Sequence, residues 1–172
     1  MKRIKRAFKY SLLLVLLVTT IGFLLPQTIH NPVVGAKPGD WNVKSFWYYP
    51  WGRSVVHKGV DIFAKKGTPV KAAVYGMVVA KGSNKVAGNY VVVMGPKWRF
   101  HYYAHLNSIN VRRFETVSSD DIIGTVGDTG NAKGKQPHLH YTIYTLFPYP
   151  WNYSDGPHGG RKMFFIDPTP YL

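Results

Sequence analysis

Cysteine is absent from this chain of 172 residues, which removes thiolate-bound zinc, thiol nucleophiles and disulfide staples whatever the compartment. Acidic residues are scarce: eight stand against 22 lysines and arginines, and Glu115 is the single glutamate. With no H-E-x-x-H sequence, a helical zinc protease using a glutamate base is excluded. Neither S-x-x-K nor G-x-S-x-G occurs, so the usual signatures of serine-type peptidases and α/β-hydrolases are missing as well. Beyond Leu25 no stretch offers a capped helix of three turns, which leaves β structure as the source of a core.

Charge of one sign is abundant instead. The net charge is +14, and Lys2, Arg3, Lys5, Arg6 and Lys9 crowd the first ten positions. Ser11 to Leu25 follows as a run without a charge. Fifteen helical residues span about 22 Å, short of the roughly 20 residues a bilayer core asks for and long for a signal-peptide core. The expectation is a basic cytoplasmic segment over 1–10 and a hydrophobic signal or anchor helix over 11–25. A small-residue cleavage site can be read at Val34-Gly35-Ala36, but it lies well past Leu25, so an uncleaved anchor is the favoured reading. Either way the remainder is expected outside the cytoplasm, in the cell envelope, held by residues 11–25 or released after cleavage. The excess charge suits any polyanionic surface and selects none.

Residues 26–50 carry repeated prolines and glycines without a period and read as a linker. The linker runs into an aromatic cluster of Trp41, Phe46, Trp47, Tyr48, Tyr49 and Trp51, expected chiefly to pack on the neighbouring domain, with the lining of a substrate cleft as the alternative. The domain itself is placed at 51–172. Short runs rich in Val, Ile, Tyr and Thr follow one another between glycines: 68–74, 77–81, 89–94, 99–105, 122–126 and 139–146. These predict an all-β domain, compact and mainly antiparallel. The tail from Phe147 reads as irregular structure, with His158 on a surface loop.

Two compact histidine motifs carry the chemistry. In Pro137-His138-Leu139-His140, residues two apart on a strand project from one face. An isolated H-x-H is more often a pair of surface residues, but His57-Lys58-Gly59-Val60-Asp61 supplies a further histidine and a carboxylate, with Gly59 expected to allow a sharp bend. Together the motifs can offer two histidines and a carboxylate, a ligand set for zinc that leaves the fourth position to water, as catalytic sites do. A looser third element, Arg99-Phe100-His101-Tyr102-Tyr103-Ala104-His105, has histidines four apart, expected on one face of a regular strand. One of them could move a proton or stabilise an oxyanion beside the metal.

These residues resemble the lysostaphin-type or LytM-type zinc metallopeptidases, which cleave peptide bonds in peptidoglycan stems and bridges. The resemblance runs roughly from Gly52 to Thr145 and is carried by HKGVDIFAKKGTPVKA, GNYVVV, YYAHL and IGTVGDTGNAKGKQPHLHY, in that order. It implies one zinc ion per chain bound by His57, Asp61 and His140, with His105 and His138 as catalytic residues. It also implies a sheet whose groove holds the metal on its floor. His101 has no counterpart. Two departures stand out: the segment before His57 is brief, and the segment before H-x-H carries Lys133 and Lys135, which suit an acidic substrate group.

The function expected on this basis is hydrolysis of peptidoglycan peptide bonds by a zinc-activated water, with peptidoglycan peptides as substrate, the membrane as partner of the amino-terminal segment, and anionic envelope polymers as further partners. The alternative is an inactive member of the same fold that binds wall or regulates an amidase. A nucleic-acid binder has only charge and aromatics in its favour and is not expected.

Overall fold

A computed structural model describes residues 2–172. It opens with helix α1, Lys2–Leu24, so the helix takes in the basic residues as well as the apolar run. Ten strands follow among the described residues: β1 (Val60–Phe63), β2 (Pro69–Lys71), β3 (Gly76–Asn84), β4 (Gly88–Met94), β5 (Arg99–Leu106), β6 (Ser108–Ile109), β7 (Thr116–Val117), β8 (Ile122–Thr125), β9 (His138–Thr145) and β10 (Phe165–Ile166), with a short α-helix α2 (Gly159–Lys162) before the last and short 3-10 turns between several of them. The mainly antiparallel β architecture expected from the sequence is therefore present. Seven strands form one sheet in the order β1-β9-β5-β4-β3-β7, with β10 also paired to β9, and β2-β8-β6 form a second. All strand pairings are antiparallel.

The core lies between the sheets. Alternation along β9 puts Leu139, Tyr141 and Ile143 there, each fully buried, and Val60 and Ile62 of β1 join them. The smaller sheet contributes Val70 and Ile123. By the same two-residue period, His138, His140 and Thr142 of β9 and Asp61 and Phe63 of β1 face the opposite side, where a groove of about 1290 Å³ opens.

Residues 26–50, read from sequence as a linker, lie against the domain. Ile29, Val33 and Trp41 enter the core, and Val33 bridges to Val70 of β2. The prolines and glycines here obscure a segment that packs residue by residue, without strand or helix periodicity to announce it. The aromatic cluster divides: Trp41 is buried, while Tyr48, Tyr49 and Trp51 stay exposed. Trp51 lines the groove, so packing accounts for only part of that cluster.

Gly59 lies at a bend, as expected, and its lack of a side chain has a further use. A Cβ there would stand 2.3 Å from the Tyr141 carbonyl oxygen and 2.4 Å from Thr142 Oγ1, so the glycine lets the chain entering β1 press against β9. Gly59→Ala is expected to cost about 1–3 kcal/mol through that overlap. Gly160→Ala, whose Cβ would meet nothing within 4 Å, should leave stability unchanged; equal denaturant midpoints for the two variants would contradict the assignment.

Candidate metal centre

Strand pairing assembles the site. Asp61 of β1 is the register partner of His140 in β9, and directly opposed residues place their Cβ atoms about 5 Å apart on one face. His57 arrives from the loop before β1. Asp61 lies within β1, a four-residue strand too short to register as a β run and ahead of the first run expected from sequence, 68–74.

One nitrogen of each histidine and one carboxylate oxygen converge. Asp61 Oδ1 lies 2.7 Å from His140 Nδ1 and 3.1 Å from His57 Nε2, and the two nitrogens are 3.1 Å apart. The second nitrogen of each ring is occupied elsewhere: His57 Nδ1 donates to the Ser45 carbonyl at 3.1 Å, and His140 Nε2 meets Thr142 Oγ1 at 3.0 Å. A carbonyl can only accept, so His57 carries its ring proton on Nδ1 and turns an Nε2 lone pair inward. Two electron-rich atoms, His57 Nε2 and Asp61 Oδ1, thus face His140 Nδ1, and the point where the three meet calls for either a proton on His140 or a cation. Within salt-bridge distance Asp61 meets only these two histidines among the described residues.

The donor set fits a metal ion. Ligand atoms set tetrahedrally around zinc stand roughly 3.3 Å apart, close to the spacings here, and the three ligand atoms all lie within 4.8 Å of one another. Two imidazoles and a carboxylate suit zinc. Burial opposes ionisation of Asp61, but the hydrogen bond from His140 leads the effects that outweigh it and hold the carboxyl well below the usual carboxylate range.

His105 and His138 stand beside this group. Their rings are 5.0 Å apart, and that of His105 is 6.0 Å from His140. His105 Nδ1 donates to the Thr129 carbonyl at 2.9 Å and His138 Nδ1 to the Gln136 carbonyl at 2.8 Å. Both therefore keep Nε2 as a free acceptor when neutral. Burial, and then the neighbouring His140 and His138, lower the His105 pKa to about 4.

His101 and His105 do not share a face, contrary to the expectation for a regular strand. Tyr103 and Leu106 belong to the core, whereas Ala104 and His105 both line the groove. The cause is local: His105 adopts φ 62°, a left-handed conformation uncommon for a residue with a side chain, and the pairing with β4 shifts register there. His101 stays on the core side, fully buried, 2.6 Å from the Tyr141 hydroxyl and 3.2 Å from Gln27 Nε2.

Sequence reasoning missed three contributors. Thr142 was detectable, since it lies two residues beyond His140 and so shares its face. Ser45 acts through its backbone and left no signal. Trp51 stacks on the His57 ring at 4.1 Å and 25°, within the cluster that was assigned chiefly to packing.

Known proteins share this arrangement of chain. Residues 55–152, more than half of the sequence, match Peptidase family M23. The chain is 33% identical over 142 residues to the L-Ala--D-Glu endopeptidase of Bacillus subtilis (strain 168), covering 77% of this chain and 40% of that protein. It is 36% identical over 103 residues to lysostaphin of Staphylococcus simulans, covering 57% of this chain and 20% of that one. The chain thus spans well under half the length of these curated relatives. The crystallised catalytic domain of lysostaphin from Staphylococcus simulans superposes with a TM-score of 0.60 at 30% identity, over 74% of this chain and 87% of that one.

His101 offers a direct check on the assignment of the histidines. Burial, and then the nearby Arg99 charge, lower its pKa from 6.5 to about 3. The folded state therefore binds fewer protons than the unfolded one between these values. The stability His101 contributes is complete above pH 6.5 and drains away as pH falls toward 3. Nitrogen-15 NMR should find His101 neutral at pH 5; a midpoint near 6.5 would place it in solvent and contradict the structure.

Proposed function

This chain belongs to peptidase family M23, and from that premise we propose that it is a zinc-dependent endopeptidase that hydrolyses peptide bonds of bacterial peptidoglycan. The observation that supports this most strongly is the convergence of His57 Nε2, Asp61 Oδ1 and His140 Nδ1 on one point at the floor of an open groove. The relatives' names, an L-Ala--D-Glu endopeptidase and lysostaphin, favour a wall peptide as the substrate.

In this reading His57, Asp61 and His140 hold one zinc ion per chain. Zinc held there would supply a Lewis acid able to lower the pKa of water to about 7 and to polarise a scissile carbonyl. The chain supplies the rest. His105 and His138 take up the proton of the attacking water at Nε2 and return it to the leaving amine. The Nδ1 bonds to Thr129 and Gln136 hold each ring in the tautomer this requires. When protonated, the same rings stabilise negative charge on the tetrahedral intermediate. Thr142 and the Ser45 carbonyl orient the zinc-binding rings, as partners of metal-bound histidines do.

Tyr90, Tyr102 and Tyr144 line the groove together with Lys85 and Lys135. Those lysines would meet a carboxylate of an acidic stem peptide. We further propose that α1 is an uncleaved anchor, which places the groove outside the cytoplasm at the cell envelope. Within Arg3–Leu24 an 18-residue window has mean hydropathy 2.0 and is only 6% buried.

Purified peptidoglycan incubated with the zinc-loaded protein should release new amino termini, and chelator or His140→Ala should abolish the release. His105→Ala and His138→Ala should retain zinc while losing about 10²–10⁴ in rate. A folded, zinc-loaded protein that releases nothing from several wall types would replace this reading with a binding or regulatory role.

A further inference from the structure

The last turns of α1 are not free. Trp98, in the turn between β4 and β5, lies against the helix backbone at Gly22, where a Cβ would stand 2.3 Å from its ring. Its Nε1 donates to the Thr19 carbonyl at 2.9 Å. Thr19 precedes the end of the helix by five residues, so an indole of the domain reaches about 7 Å back along the helix axis. Phe23 packs edge-on against Phe147 at 5.0 Å.

No slack follows the helix. Tyr75 donates its hydroxyl to the Pro26 carbonyl at 3.2 Å, and Arg99 donates to Gln27 Oε1 at 2.7 Å. The His30 amide bonds to the Ala73 carbonyl at 2.9 Å. The domain therefore begins where the apolar helix stops.

Around that junction lies exposed apolar surface that no element covers. Leu146 is 68% exposed and Trp151 76%, in the loop after β9. Tyr149 of the same loop lies beneath Arg99, 5.7 Å from the guanidinium, and touches the Trp151 ring at 5.0 Å. The patch is thus continuous with the residues that grip the end of α1. Tryptophan and tyrosine flanking the end of an apolar helix favour the headgroup zone of a bilayer, where their mixed character is satisfied. The uncharged run from Ser11 to Leu25 also spans about 22 Å against a hydrocarbon core of about 30 Å. A span this short is accommodated by local thinning of the bilayer and by flanking side chains that reach the interface.

We propose that the β domain sits directly on a lipid bilayer, with Trp98 and the loop from Leu146 to Tyr153 entering the headgroup region beside α1. This rests on α1 being a retained anchor. It adds that the groove is held at a fixed height and attitude above the membrane, not swung on a tether, which limits the reach of the site to wall close to the bilayer.

The absence of cysteine makes single-site labelling clean. The full chain would be reconstituted into phosphatidylglycerol–phosphatidylethanolamine vesicles with an environment-sensitive fluorophore on one of four variants: Leu146→Cys, Trp151→Cys, Val15→Cys within α1, or Ser83→Cys at the far end of β3. Labels at 146 and 151 should shift to the blue and be quenched by a nitroxide carried at lipid headgroup depth. The label at 83 should remain water-like and that at 15 should be quenched from the bilayer interior. Labels at 146 and 151 that match the one at 83, while 15 is buried in lipid, would overturn the seat and leave the anchor standing. An unquenched label at 15 would overturn both. Labels at 146 and 151 shielded from water yet untouched by lipid nitroxide would show a protein partner on the patch and overturn the lipid seat.

Discussion

The pairing of β1 with β9 is the constraint on which the rest of the site depends. Four residue pairs, from Val60 opposite Tyr141 to Phe63 opposite His138, decide which side chains face the core and which face the groove. A slip of one residue would exchange those faces and carry Asp61 away from His140. The slip is opposed by the full burial of Val60, Ile62, Leu139 and Tyr141, each worth roughly 1.5–3 kcal/mol when withdrawn from water. Apolar burial on one side of the sheet thus sets polar geometry on the other.

A second layer of order comes from the ring nitrogens that point away from the converging group. Ser45, Thr142, Thr129 and Gln136 each hold one histidine. Three of those partners are backbone carbonyls, so the tautomers follow from the course of the chain. Ser45 belongs to the segment that carries Ile29, Val33 and Trp41 into the core. The packing of that segment and the orientation of His57 are therefore linked, and residues preceding the first strand are part of the site's architecture.

Much of this was legible in the sequence where a regular period operates. Alternation along β9 predicted that His138 and His140 share a face, and the runs at 89–94 and 99–105 anticipated β4 and β5 closely. Three features escaped for physical reasons. β1 has only four residues, too few for a pattern to emerge. The left-handed backbone at His105 reverses the alternation that would have put it on the core face with His101, and nothing in Tyr-Tyr-Ala-His-Leu announces that reversal. Residues 26–50 are ordered by individual contacts and not by a repeating one, so their prolines and glycines looked like a linker.

The central claim is that His57, Asp61 and His140 are arranged around a cation, since their ligand atoms converge at close to the spacing of a tetrahedral zinc site. Calorimetric titration of zinc into chelator-stripped protein, compared with Asp61→Asn, tests this most directly. The account predicts one zinc ion per chain in the parent, with affinity falling by orders of magnitude when the carboxylate becomes an amide. Equal zinc affinity in the two proteins, or no binding by the folded parent, would contradict it.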